Sequence, residues 1–123
     1  EARQLGAKRI KMNIGQLEGI SKVSVADFKE LLARYQIAVN IENDQTEENG
    51  TFEVVSEALK LIHQAGLPVS YTFDAGNYAV MKEDATQAFA ALKNETSIYH
   101  VKNVDTDLQT SLLKMRLIFP IPQ

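Results

Sequence analysis

The sequence lacks cysteine, so neither a disulfide bond nor a thiolate metal site can form from its residues. Long apolar runs are also missing: none approaches the roughly 18 residues of a membrane helix, and no signal peptide is recognisable. Lys and Arg are not clustered and the formal net charge is −3, which argues against a nucleic-acid-binding surface. These absences favour a cytoplasmic protein with neither a nucleic-acid nor a membrane partner.

The chain has 123 residues, 45% of them apolar and 24% charged, which is ordinary globular composition. That length supports one domain with its own core, and we expect residues 1–123 to form a single domain. The sequence begins at Glu1, and its opening stretch EARQLGAK is typical of the end of a helix. We therefore also expect the sequence to be a fragment of a longer protein.

Apolar periodicity predicts strands that alternate with helices. Ser24, Thr51 and Asp84 are candidate N-caps, and Gly66 is a helix stop. The predicted strands are 9–15, 37–44, 68–74 and 97–104, and the predicted helices are 24–36, 51–66 and 84–94. A short helix over 107–115 and a short strand over 116–121 are predicted for the tail. This order indicates the α/β class, with (β/α) repeats and a parallel sheet.

The predicted strands are apolar on one face only, unlike parallel strands covered by helices on both sides. Tyr71 and Phe73 alternate with Thr72 and Asp74, for example. Helices on one face and polar groups on the other suggest the wall of a (β/α) barrel, so we expect a partial, half TIM barrel. Phe28, Leu31, Phe52, Leu59 and Phe89 are predicted to pack between the helices and the sheet.

Residues with ligand-type side chains occur near the carboxyl ends of three successive strands. They are Glu42, Asp74 and His100, and Lys11 has the same position on the first strand. Carboxylate and imidazole ligands suit Mn²⁺, Mg²⁺, Co²⁺ or Zn²⁺. Such a cation holds two adjacent sugar oxygens and polarises a carbonyl, while a carboxylate moves a proton at the neighbouring carbon.

The stretches IENDQT, TFDAGN and YHVKN, in this order and spacing, resemble the sugar phosphate isomerase/epimerase family of the xylose isomerase-like TIM barrel superfamily. The resemblance covers about residues 5–104 and implies the fourth to seventh strands of an eight-stranded barrel. It implies a divalent-metal site in the intact protein and a sugar or sugar phosphate as substrate. The metal ligands would be Glu42, Asp74 and His100, and Glu42 would also carry the proton in catalysis. The resemblance also implies a substrate contact near Glu48, and it puts Asn77 where many members carry a histidine.

The sequence departs from this family at its tail. The family's fourth ligand is a glutamate on the last strand, in stretches such as IEFP, whereas this chain reads LIFP and has Ile118 there. Either the tail is not the eighth strand or the site has lost a ligand. A complete barrel takes about 250 residues, so activity is expected of an intact protein rather than of this chain alone.

Each candidate also has a structural interpretation. Glu42 and Asp74 would cap loops, and His100 would be a hydrogen-bonded core histidine. Lys11 and Lys102, which point the same way as the acids, are candidate substrate-binding residues. In the structural interpretation they would pair with the acids rather than form a Schiff base. Gly76 and Asn77 would either form a turn or provide a substrate contact, with Asn77 as the candidate substrate-binding residue. His63 lies on a predicted helix and is expected near the surface.

Three functional hypotheses follow. The first is a metal-dependent sugar or sugar-phosphate isomerase/epimerase. The second is an apurinic-site endonuclease of the same superfamily, which the two histidines and the acidic net charge disfavour. The third is a degenerate, non-catalytic half-barrel. Because a half-barrel has two open sheet edges, we expect a homo-oligomer.

Overall fold

The computed structural model describes residues 1–15, 24–102 and 104, together with the backbone of strand 116–120. Its strands are β1 (Arg9–Asn13), β2 (Ala38–Glu42), β3 (Val69–Asp74), β4 (Thr96–Lys102) and β5 (Arg116–Pro120). Its helices are α1 (Val25–Tyr35), α2 (Glu47–Gly50), α3 (Phe52–Ala65), α4 (Ala75–Val80) and α5 (Ala85–Leu92). The predicted tail helix over 107–115 lies outside the described residues.

The strands form one sheet in the order β1-β2-β3-β4-β5. The first four are parallel and alternate with helices, which confirms the α/β class. The tail strand was predicted, but β5 runs antiparallel to β4, with Ile118 opposite His100. In this respect β5 differs from the eighth strand of a (β/α) barrel, which runs parallel to its neighbours.

Local sequence signals set the helix ends. Ser24, Thr51 and Asp84 accept hydrogen bonds from the first-turn backbone of α1, α3 and α5, as predicted. Gly66 ends α3 with a φ of 67°, a left-handed conformation that costs glycine little. The predicted turn at Gly76–Asn77 was wrong, because Asp74 caps a further helix, α4, that begins directly after β3.

The core lies between β2–β3 and helices α3, α4 and α5. Phe73 is fully buried, and its ring centroid lies 5.2 Å from those of Phe89 and Tyr99. Burying such a ring contributes about 2–3 kcal/mol. The core members are Ile14, Ile41, Val55, Ala58, Leu59, Ile62, Tyr71, Phe73, Tyr78, Ala88 and Leu92.

The β1 edge is more open than predicted. Leu31 on α1 is 51% exposed, so its assignment to the core was wrong. The assignment of Phe52 to the core was also wrong, because this first residue of α3, away from the β1 edge, is 37% exposed. None of the residues of α1 is buried. Because β1 forms the edge of the sheet, α1 has a strand to pack on from one side only, and Met12 and Tyr35 are exposed there as well.

Candidate functional site

The three predicted ligand residues come together at the carboxyl ends of β2, β3 and β4. Glu42, Asp74 and His100 are each at most 4% exposed. One ligand atom from each lies within 4.8 Å of the others. Parallel strands bring their carboxyl ends to the same edge of the sheet, so three residues far apart in sequence share one small volume.

A one-residue irregularity in β4 puts His100 on this face. Tyr71 pairs with Thr96, but Thr72 pairs with Ile98, so β4 contains one residue more than β3 over this stretch. Asp74 consequently pairs with His100. Without the extra residue the partner of Asp74 would be Tyr99, and the imidazole would lie on the opposite face, because side chains alternate along a strand.

His100 joins the two carboxylates. Its Nδ1 lies 2.7 Å from Oε1 of Glu42 and 3.8 Å from Oδ2 of Asp74. An ionised carboxylate can only accept a hydrogen bond, so a hydrogen on Nδ1 is donated to Glu42. The same imidazole nitrogen therefore lies close to both acids.

Two lysines lie beside the acids and complete a charged row, which consists of Lys11, Glu42, Asp74 and Lys102. Lys11 Nζ lies 2.5 Å from Oε2 of Glu42, and Lys102 Nζ lies 3.0 Å from Oδ2 of Asp74. The Lys11 side chain is 46% exposed, whereas that of Lys102 is only 12% exposed. The prediction that both lysines point toward the acids is confirmed, and their structural interpretation as partners of those acids holds in this state.

The four carboxylate oxygens have different surroundings. Oδ1 of Asp74 accepts a hydrogen bond of 3.0 Å from the backbone N–H of Asn77 and so caps α4. Oε2 of Glu42 is buried and receives no hydrogen bond of acceptable geometry, although the Lys11 ammonium lies beside it. Oδ2 of Asp74 and Oε2 of Glu42 are thus the oxygens that lie beside ammonium groups.

Asn43 positions this cluster through its bonds to the backbone of Asp74, which the sequence did not predict. Its side chain accepts from the backbone N–H of Asp74 at 2.9 Å and donates to the Asp74 carbonyl at 3.0 Å. Its backbone carbonyl accepts from Nδ2 of Asn77 at 2.6 Å. The available signal was a carboxamide directly after the strand that ends in Glu42.

Two tyrosine hydroxyls lie beneath Asn43. Tyr71 donates to Oδ1 of Asn43 at 2.7 Å, and the hydroxyls of Tyr71 and Tyr78 are 3.1 Å apart. Burial raises the pKa of Tyr71, and the nearby charges of Asp74 and Glu42 raise it further. Burial raises the pKa of Tyr78 to about 12. Both phenols therefore remain protonated near neutral pH and serve as hydrogen-bond donors.

A second polar layer lies two residues before Glu42 and Asp74 along their strands. Asn40 donates to the hydroxyls of Thr72 and Ser97 at 3.0 and 2.9 Å, and Arg9 donates to Asn40. The polar face is accordingly hydrogen-bonded across neighbouring strands, and Asn40 and Thr72 are buried.

The remaining candidates lie at the margin or outside. Asn77 is buried in α4, where its Oδ1 accepts from Lys102 and from Gln45. Glu48 is exposed on α2, and His63 is exposed on α3 as predicted. None of the helices in the described parts of the chain has the length and apolar character needed to cross a bilayer.

The fold and cluster together define a partial (β/α) unit with a buried acid–histidine group at its strand ends. No family model and no curated protein matches the sequence. Among the solved structures that match the fold, two have a TM-score of 0.54 each. One is a xylose isomerase domain-containing protein of Salmonella typhimurium, at 23% identity over 84% of this chain and 40% of that one.

The other similar structure is the apo form of a 3-keto-D-glucoside 4-epimerase of Escherichia coli, at 16% identity over 86% of this chain and 47% of that one. The chain thus spans less than half the length of either structure. At these identities the likeness shows the fold alone, and that fold is consistent with part of a TIM barrel, as expected from the sequence.

Proposed function

We propose that the chain carries the cation-binding part of a metal-dependent sugar or sugar-phosphate isomerase/epimerase, corresponding to about strands 4–7 of its barrel. The observation that carries the proposal is the convergence of Glu42, Asp74 and His100 within 4.8 Å at the ends of three adjacent parallel strands. Buried charged groups destabilise the folded state unless they are paired or bind a ligand.

The donor set fits a divalent cation. Two carboxylate oxygens and an imidazole nitrogen suit Mn²⁺, Co²⁺, Mg²⁺ or Zn²⁺. Oε2 of Glu42 supports this fit, because it is buried without a hydrogen bond. The side chain of Ile118 has no ligand atom, so the cluster would leave further coordination positions to water or substrate.

A bound cation would polarise a sugar carbonyl and so make the neighbouring C–H more acidic. Glu42 would accept that proton and return it to the sugar, because its Oε2 is the acid oxygen without a hydrogen bond. His100 would orient Glu42 through the 2.7 Å contact. Lys11, at the exposed rim, would contact a substrate oxygen, and Lys102 and Asn77 would do so from the other side.

The sugar class is proposed from two supports. The sequence resembles the sugar phosphate isomerase/epimerase family, and one structure with the same fold is named as an epimerase of a keto-glucoside. Glu48 would reach substrate only at the outer edge of the site, because it is exposed on α2.

Hydrogen exchange at the carbon next to the sugar carbonyl tests this proposal. The complete protein that carries these residues, loaded with Mn²⁺, is incubated in D₂O with a panel of ketoses, ketose phosphates and keto-glucosides. We expect deuterium incorporation into at least one sugar, its loss in Glu42→Gln, and its retention in Glu57→Gln, which changes an exposed acid of α3. The absence of incorporation across the panel would reject the reaction.

A non-catalytic half-barrel is the second candidate, and the two lysine–carboxylate pairs favour it. In that case the acids are structural, with lysines as their permanent partners. We also propose that the chain self-associates through its β1–α1 edge, where Met12, Leu31 and Tyr35 are exposed.

A further inference from the structure

Lys102 has the least solvent-exposed ammonium group of the charged row. Its side chain is 12% exposed, and its Nζ lies 3.0 Å from Oδ2 of Asp74. The same Nζ donates to Oδ1 of Asn77. Asn77 is held in turn by Gln45 and by the backbone carbonyl of Asn43. The Lys102 ammonium therefore lies between two oxygen partners that other residues hold in place.

Gly76 leaves the space through which Lys102 reaches this position. A Cβ at residue 76 would overlap the Cγ, Cδ and Cε atoms of Lys102. The lysine stem thus lies directly against the first turn of α4. A larger residue at position 76 would push the stem away from Asp74 while leaving the charge of residue 102 intact.

Charge balance indicates what this lysine does. Counted as formal charges, Glu42 and Asp74 contribute two negative and Lys11 and Lys102 two positive, so these four groups balance. A divalent cation added to this row would lie beside two ammonium groups, and repulsion between charges a few ångströms apart is strong in a poorly solvated site. A cation that binds Glu42 and Asp74 together therefore requires both ammonium groups to move away.

Lys11 and Lys102 differ in how readily they move. Lys11 is 46% exposed on the edge strand β1, so its ammonium can turn to water at small cost. Lys102 must leave Asp74 and Asn77 together. Displacement of Lys102 therefore costs more free energy than displacement of Lys11.

We propose that Lys102 acts as an internal cation that occupies the position beside Asp74 when no metal is bound, and that its side chain must move out before a divalent ion binds. This inference rests on the cation site of the proposed function. It makes Lys102 a positioning residue that stabilises the metal-free site and weakens metal affinity.

Calorimetric titration with MnCl₂ and thermal unfolding of the 123-residue chain test the proposal on Lys102→Met. We expect the affinity for Mn²⁺ to rise about tenfold or more, because one repelling charge is gone. We expect the metal-free melting temperature to fall, because Asp74 loses its partner. Saturating Mn²⁺ should raise the melting temperature of this variant more than that of the wild type.

Lys60→Met is the matched control, because Lys60 forms only an exposed pair with Glu57 at 3.8 Å. It should change neither quantity. Gly76→Ala is the second variant and serves if Lys102→Met does not fold: it retains the lysine, displaces its stem, and should also tighten Mn²⁺ binding, by less. An Mn²⁺ affinity that stays equal or falls in Lys102→Met, or in Gly76→Ala where Lys102→Met does not fold, would overturn the inference. An absence of binding in the wild type and in every variant would also overturn it.

The two proposals fail in different ways. Equal Mn²⁺ affinity in the wild type and Lys102→Met would reject the internal cation and leave the isomerase proposal standing. Tighter binding in Lys102→Met without any sugar hydrogen exchange in the loaded complete protein would do the opposite.

Discussion

Nδ1 of His100 lies 2.7 Å from Oε1 of Glu42, although 58 positions separate the two residues in the sequence. Strand order, parallel direction and the irregularity of β4 all contribute to this contact. Since both side chains are buried, the pair is a fixed part of the sheet edge and not a surface ion pair. Its energetic importance can be measured directly.

Replacement of His100 by alanine should destabilise the chain. The variant leaves a cavity and removes the donor to a buried carboxylate, so we expect the free energy of unfolding to fall by about 2–4 kcal/mol. Urea unfolding followed by circular dichroism measures the change. His63→Ala, on the exposed face of α3, is the control and should stay within about 0.5 kcal/mol of the wild type. Equal effects of the two variants would contradict the buried pair.

Asn43→Ala should be costly for a different reason. The variant leaves the backbone N–H and carbonyl of Asp74 and the hydroxyl of Tyr71 without their partner. Unpaired buried polar groups predict a loss of about 2–4 kcal/mol in urea unfolding. Asn94→Ala removes the same side chain at an exposed position and should be close to neutral. A loss below about 1 kcal/mol for Asn43→Ala would show that these hydrogen bonds are not maintained.

Stability should fall at alkaline pH because of the buried tyrosines. An unfolded tyrosine ionises near pH 10, whereas burial raises the pKa of Tyr78 to about 12 and also raises that of Tyr71. The unfolded chain therefore loses protons first, so the free energy of unfolding decreases as pH rises from about 10 toward 12. The stabilisation is fully present below pH 10.

Urea unfolding at pH 8, 10 and 11 measures this dependence. Tyr78→Phe should reduce the slope above pH 10, since it removes one of the groups that ionise only on unfolding. Tyr35→Phe alters an exposed tyrosine and should leave the slope unchanged. A wild-type stability that stays constant from pH 8 to 11 would contradict the assigned burial.

Self-association should depend on the β1–α1 edge. Its apolar groove of about 310 Å³ includes Ile10, Leu31 and Tyr35. Light scattering should give a mass above the 13.7 kDa of one chain. Leu31→Glu should lower that mass by placing a charge on the contact surface, and Leu61→Glu on α3 should not. A wild-type mass of 13.7 kDa at all concentrations tested would reject the oligomer.

The sequence was sufficient to predict most of the fold. Apolar periodicity located β1–β4 and three of the helices, and cap residues located helix starts at Ser24, Thr51 and Asp84. Helix α4 was missed because Gly76 and Asn77 are turn-forming residues, and the capping bond from Asp74 overrides that preference. The burial of α1 residues was overestimated. A helical pattern shows which face of α1 is apolar, but it does not show whether strands lie on both sides to cover that face.

The sequence predicted which residues form the site better than it predicted the contacts among them. Glu42, Asp74 and His100 follow from one-sided strands whose polar residues fall at the strand ends. Periodicity could not show that β4 contains an extra residue relative to β3, that Gly76 makes room for Lys102, or that Asn43 fixes Asp74. Each of these depends on register or side-chain reach between strands, for which one sequence carries no local signal.

Nuclear magnetic resonance of the two histidine rings during titration with Mn²⁺ tests the central claim most directly, because the paramagnetic ion broadens signals within a short distance of it. The account predicts selective broadening of the His100 imidazole signals, with those of His63 still sharp, and loss of that selectivity in Asp74→Asn. Signals of His100 that stay sharp at saturating Mn²⁺, or His63 signals that broaden first, would contradict a cation site formed by Glu42, Asp74 and His100.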